Sequence, residues 1–186
     1  MRPPRVLVAY ASRHEATAEI AAAIAGALAA AGCTPWVAEA RAVTSLAGVD
    51  AAIVGSALYL GRWDDAALDL LRRERAALAR IPTWLFSSGP VGEGKATARP
   101  DRLPQPEAVA ALATEIGAHA TTFGGRVDPD EDGFDLQIMV SAGLAGDWRN
   151  FNRIRAWSRA IAADLLAQAA AAGGVDGTAI ARETTT

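Results

Sequence analysis

The stretch Val6-Leu7-Val8-Ala9-Tyr10-Ala11-Ser12-Arg13-His14-Glu15-Ala16-Thr17 decides how this chain reads. An apolar run stops at a short polar turn, and an alanine-rich helical pattern starts at once. A strand feeding straight into a helix leaves unpaired N–H groups converging on one point, where an anion such as a phosphate is stabilised. Glu15 complicates that point by setting a carboxylate where a phosphate would sit. It reads either as an acidic first-turn residue that complements the helix dipole, or as a carboxylate that occupies the ring of amides and blocks a ligand.

Working outward, apolar runs alternate with helical patterns along the whole chain. Strands are expected over 5–10, 35–39, 51–56, 82–87 and 119–124. Runs such as Ala51-Ala52-Ile53-Val54 and Trp84-Leu85-Phe86 are nearly continuously apolar, as parallel strands are when both faces are covered. Between them, apolar residues recur three or four apart. Ile20, Ile24 and Leu28 mark a first helix, Leu68, Leu71 and Leu78 a second, and Val109, Leu112 and Ile116 a third. Ile154, Trp157, Ile161 and Leu165 mark the last. Repeated βα units of this kind give a doubly wound α/β fold with right-handed crossovers. Pro35 cannot donate a ladder hydrogen bond and puts the second strand at one edge. The more polar Ala120-Thr121-Thr122-Phe123 makes the other edge. The resulting order is 2-1-3-4-5, with a ligand crevice between strands one and three.

Composition narrows the function. A chain of 186 residues can bury a full core as one domain, here expected over 1–172, with 173–186 a disordered tail that lacks a core pattern. Eighteen basic against 21 acidic residues give a net charge of -3, which offers no case for nucleic acid. The single cysteine, Cys33, excludes an internal disulfide or a cysteine-rich metal cage and reads as a small filler. The apolar start is too short for a signal-peptide core or a membrane span, so a cytoplasmic location is expected.

Three loops leave the carboxyl ends of strands one, three and four and should converge at the crevice: Ser12 to Thr17, Gly55 to Trp63, and Ser87 to Gly92. Residues 88–106 form a long Gly- and Pro-rich loop, a length that is usually functional or mobile. Asp128-Pro129-Asp130-Glu131-Asp132-Gly133 resembles the start of a calcium loop, but the closing glutamate is replaced by Met139, so a solvated acidic turn is expected and no metal site. Phe134 to Leu144 reads as an amphipathic helix packing on the domain or on a second subunit. Trp36, Trp84 and Trp157 are expected in the core, and His119 in a structural role.

In Val8-Ala9-Tyr10-Ala11-Ser12-Arg13, Gly55-Ser56-Ala57-Leu58-Tyr59, Phe86-Ser87-Ser88-Gly89-Pro90, Gly124-Gly125-Arg126 and Asp147-Trp148-Arg149-Asn150-Phe151, the chain resembles the flavodoxin family over nearly its whole length. Within it, the pattern is similar to the flavodoxin-domain proteins that include the menaquinone-dependent protoporphyrinogen dehydrogenases. The resemblance implies a flavodoxin-like three-layer sandwich around a five-stranded parallel sheet, and flavin mononucleotide (FMN) as cofactor. It implies that Ser12 and Thr17 supply hydroxyls to the FMN phosphate, and that the amides of Arg13, His14, Glu15, Ala16 and Thr17 complete the nest. Tyr59 would stack on the isoalloxazine ring. Ala57, Leu58, Gly61, Ser87, Ser88, Gly89 and Pro90 would surround its edge, while Arg62 and Trp63 would face an approaching partner.

The family's phosphate loop carries glycine where this chain has Glu15. Glycine permits close backbone approach and unusual dihedral angles. Glutamate adds bulk and charge beside a dianion. Three functions follow, one of them a nicotinamide-dependent reductase on the same fold. The first is an FMN-binding electron carrier or small oxidoreductase, acting on a redox partner protein or a small acceptor with no catalytic side chain of its own. The second is a binding or regulatory protein on the same fold that has lost FMN through Glu15.

Overall fold

The computed structural model describes residues 2–89, 103–130, 133–143 and 145–175. The backbone runs β1 (Arg5–Ala11), α1 (Ala16–Ala30), β2 (Thr34–Glu39), a short 3₁₀ turn (Ala40–Ala42) and β3 (Ala51–Tyr59). It continues through β4 (Arg62–Trp63), α2 (Asp65–Arg73), α3 (Arg75–Leu78), β5 (Thr83–Gly89), α4 (Glu107–Ile116) and β6 (His119–Gly124). It ends with β7 (Arg126–Val127), α5 (Phe134–Ser141), β8 (Gly146–Asp147) and α6 (Phe151–Val175).

The five long strands are parallel in the order β2-β1-β3-β5-β6, the 2-1-3-4-5 arrangement expected. Two small additions depart from five strands. The two-residue β4 folds back antiparallel on β3, and β7 pairs with β8 in a separate ribbon.

Alternation along β1 explains why the sheet carries helices on both faces. Val6 and Val8 pack with Ile20, Ile24 and Leu28 of α1 and with Ile154, Ile161 and Leu165 of α6. Leu7 and Ala9 pack with Leu70, Leu71 and Leu78 of α2 and α3 and with Val109 and Ile116 of α4. A strand buried on both sides must be apolar at every position, which is how β1, β3 and β5 read. Phe86 lies against Gly55 on the neighbouring strand, where an added Cβ would fall 2.1 Å from its ring. Cys33 is buried, the small filler expected.

Some expectations change. Trp36 is 42% exposed on the edge strand β2, so it is not core. An edge strand has a neighbour on one side only, and apolar type alone does not tell how far the adjacent helix reaches over it. Trp84 and Trp157 are partly buried against the α1–α6 layer. The second expected helix breaks at Glu74 into α2 and α3. Helix α5 packs Met139 against Val127, while Ile138 stays 39% exposed. Most of the long Gly- and Pro-rich loop, including Pro90, lies outside the described residues, as do Glu131, Asp132, Leu144 and the tail beyond Val175.

Candidate functional site

β1 ends at Ala11, and α1 begins only four residues later at Ala16. Glu15 is the residue that turns the corner: it takes φ 54° and ψ -19° at the N-cap of α1, and its side chain makes no capping bond. That left-handed conformation is the one glycine adopts without strain, and for other residues it costs roughly 1–2 kcal/mol. The carboxylate itself is exposed to solvent. Inside the corner, the Ala16 amide donates to the His14 carbonyl at 2.5 Å. Thr17, one residue into the helix, is fully buried, and its Oγ1 has no hydrogen-bond partner.

β3 extends past the sheet and turns back through Leu60 and Gly61 into β4. The φ angles at the turn are 50° and 77°, as a two-residue hairpin loop requires. Glu15 and Leu60 are the two non-glycine residues with positive φ among those described, and both lie in these converging loops. Strained backbone of this kind concentrates at functional sites.

The hairpin carries Tyr59 across the mouth of the nest. Its hydroxyl accepts the Arg13 amide N–H at 2.7 Å, the Arg13 guanidinium stacks over its ring at 4.4 Å, and His14 meets it edge-on at 6.1 Å. Arg13 Nε is also held by Asp64 at 3.1 Å, and Asp64 caps α2 through the Ala66 amide.

The cleft at this point is lined by Ser12, His14, Ala16, Thr17, Ala57, Leu58, Tyr59, Ser88 and Gly89, joined by Gly125, Arg126, Val127 and Met139. Nine of the expected site residues therefore meet along one wall. Arg13 faces instead a second cleft of about 250 Å³, shared with Tyr10, Glu39, Arg41 and Asp64. Burial, followed by the nearby Glu39 and Glu15 carboxylates, pushes the Tyr10 phenol above its ordinary pKa. Glu15 and Gly61 sit in solvent at the rim.

Ser87 is turned away into the fold. It is fully buried, accepts the Trp63 indole N–H at 2.8 Å and donates to Gln105 at 2.6 Å, and Gln105 in turn donates to Thr122. Trp63 is accordingly buried and does not face a partner as expected, whereas Arg62 is exposed.

Two arginines complete the rim from the far side. Arg126 donates to Glu19 at 3.1 Å and reaches the His14 carbonyl at 3.5 Å. Arg149 donates to the other Glu19 oxygen at 2.8 Å and grips Asp147, whose carboxyl it holds below the usual carboxylate range. Sequence reasoning did not assign them a role, although each falls in a segment that carries the family resemblance. The β7 and β8 segments approach the cleft through close glycine contacts. The Gly125 amide donates to the Gly89 carbonyl at 2.6 Å, and a Cβ on Gly124 would fall 2.0 Å from the Trp148 carbonyl oxygen.

A helix N-terminus without a side-chain cap, a buried threonine hydroxyl without a partner and a strand-to-helix corner thus lie together at the end of β1. A family model described as a flavodoxin domain matches residues 7–141, most of the chain and all three of the sheet-edge loops. The chain belongs to the flavodoxin-domain family.

Solved structures agree on the fold. A rubredoxin oxygen:oxidoreductase from Desulfovibrio gigas superposes with a TM-score of 0.61 at 17% identity, over 91% of this chain and 38% of that one. A flavodoxin from the domain Archaea gives 0.54 at 16%, covering 87% of this chain and 98% of the other. The Streptococcus pneumonia TIGR4 flavodoxin gives 0.53 at 19%, with 86% and 99% covered. A comparison with curated protein sequences finds no match. This flavodoxin domain thus spans a little over a third of the oxidoreductase, and nearly the full length of the two small flavodoxins. Among the described residues there is no metal-ligand cluster, and no helix is long and apolar enough to cross a membrane.

Proposed function

We propose that this chain is an FMN-binding redox protein, an electron carrier or small oxidoreductase whose chemistry resides in the cofactor. The observation that carries the reading is Thr17: a buried hydroxyl without a partner, in the first turn of a helix with no side-chain cap, lining the cleft. Leaving a buried polar group unsatisfied costs roughly 1–3 kcal/mol, which a phosphate oxygen would recover. Ser12 and the corner amides would complete the nest. When bound, FMN would supply the one- and two-electron chemistry. The protein's own part is to grip the phosphate, stack Tyr59 on the ring, and present the backbone of Ala57, Leu58, Ser88 and Gly89 to its edge.

The cleft has a volume of about 30 Å³, far below the roughly 300–1,000 Å³ typical of ligand pockets. Binding therefore requires Tyr59 to release the Arg13 amide and swing outward, freeing that N–H for the phosphate. The exposed side chain of Glu15 supports this reading over loss of the cofactor, since a side chain in solvent does not itself fill the corner. The partner would be a redox protein or a small acceptor. In its enzymatic form the reading is an FMN-dependent oxidoreductase of the protoporphyrinogen dehydrogenase type. We place it in the cytoplasm, as a single domain over 1–172.

Titrating the apoprotein with FMN, followed by flavin fluorescence and visible absorption, tests this. Saturation at one flavin per chain is expected. Absence of saturable binding by the wild type, with binding restored in Glu15→Gly, would instead identify a flavin-free binding protein.

A further inference from the structure

We infer that Arg126 is a phosphate clamp: on binding, its guanidinium leaves Glu19 and closes on the terminal phosphate of the ligand at the N-terminus of α1. This rests on the flavin-binding reading above and names a residue that the phosphate loop does not contain.

The cleft needs such a cation. Its phosphate end already has an extra negative charge nearby in Glu15, and a helix N-terminus alone supplies only about half a positive charge. Arg13, in the loop itself, is paired with Asp64 at 3.1 Å on the side of the second cleft. Among the described residues that line the cleft, Arg126 is the one arginine or lysine.

Backbone bonds fix the position from which its guanidinium would move. The Gly125–Gly89 and Trp148–Gly125 backbone bonds, at 2.6 and 2.9 Å, hold the root of β7 against the end of β5. The guanidinium reaches the His14 carbonyl, within the corner itself, only at 3.5 Å, and its side chain is 25% exposed.

Glu19 makes the exchange inexpensive. Its second oxygen is held at 2.8 Å by Arg149, which is 4% exposed and also fixed by Asp147 and the Ala16 carbonyl. When Arg126 departs, Glu19 keeps a buried cation and is not left as an uncompensated charge. Arg149 is the fixed anchor and Arg126 the moving arm. The receiving end is the unpartnered Thr17 hydroxyl in the same cleft.

The test compares FMN with riboflavin, which has the ring but no phosphate, in wild type, Arg126→Gln and Arg126→Lys. Loss of a charge-assisted contact weakens binding by about tenfold to a hundredfold. FMN affinity should fall by that factor in Arg126→Gln and partly recover in Arg126→Lys, while riboflavin affinity stays within about twofold, which also reports an intact fold. If Arg126→Gln binds FMN as tightly as wild type, or loses FMN and riboflavin in equal measure, Arg126 is only a structural partner of Glu19 and the clamp is overturned. Failure of the wild type to bind either flavin would overturn the flavin reading along with it.

Discussion

Glu15 merges two effects that substitution can separate: a negative charge beside the nest, and a left-handed backbone that glutamate adopts at a cost. Glu15→Gln removes the charge and keeps the backbone strain. Glu15→Gly removes both. For a carboxylate roughly 5 Å from the phosphate, Coulomb's relation gives about 0.8 kcal/mol per unit charge in water and about 3 kcal/mol at an effective dielectric of 20. The side chain is exposed, so the lower figure applies. Against a phosphate of charge near -2 the repulsion is then about 1.6 kcal/mol, reduced further at physiological ionic strength. Both variants should bind FMN about three- to tenfold more tightly than wild type, by equal factors, in titrations at low salt. The gain should shrink toward unity at about 1 M salt, where the screening length falls to ~3 Å. Riboflavin should show no gain. Thermal melts should add a difference between the variants: Glu15→Gly escapes a strain of roughly 1–2 kcal/mol, partly offset by the extra freedom of the unfolded glycine chain. A gain in Glu15→Gly with none in Glu15→Gln would refute the electrostatic argument and assign the effect to backbone geometry.

Four further outcomes follow from the same geometry. Thr17→Val removes the unpartnered hydroxyl, so the apoprotein should be as stable as wild type or up to about 1 kcal/mol more so in denaturant melts, while FMN affinity falls; a loss of apoprotein stability would show that the hydroxyl already has a role in the fold. Tyr59→Phe frees the Arg13 amide and should speed FMN association in stopped flow, whereas Tyr59→Ala should weaken binding of both FMN and riboflavin about two- to tenfold through lost stacking. Gly55→Ala drives a methyl into the Phe86 ring and should cost about 1–3 kcal/mol or more by chemical denaturation. Asp147 has its folded pKa lowered, first by the Arg149 side-chain hydrogen bonds. Its stabilising contribution is therefore complete above the unfolded carboxylate pKa of about 4 and is lost as pH falls through the depressed folded value. Asp147→Asn should flatten stability against pH below about pH 4, and an unchanged acid limb would disprove the link.

The sheet was legible because its physics is local. Val6 and Val8 feed one layer and Leu7 and Ala9 the other, so a doubly covered strand announces itself as an unbroken apolar run. Pro35 marked the edge because a missing N–H cannot sit between two strands. The corner from β1 to α1 was legible as a strand running straight into a helix, since it needs only the order of the elements. What escaped depends on partners far apart in the chain or on angles that residue type does not encode. Glutamate gives no sign of a positive φ, and the Leu60-Gly61 hairpin joins a strand too short to show a period. The Trp63–Ser87–Gln105–Thr122 chain and the Arg126–Glu19–Arg149 bridge join residues up to 130 positions apart, and no local spacing reveals them. Trp36 misled because hydrophobicity says that a face prefers cover, not that cover is present.

A crystal structure of the chain with saturating FMN bears most directly on the proposed phosphate site. The phosphate should lie within hydrogen-bond distance of Thr17 Oγ1 and the Arg13 amide, with Tyr59 moved from that amide onto the flavin ring. A flavin bound elsewhere, or a corner still closed by Tyr59 at saturating ligand, would contradict the proposal that this corner holds FMN.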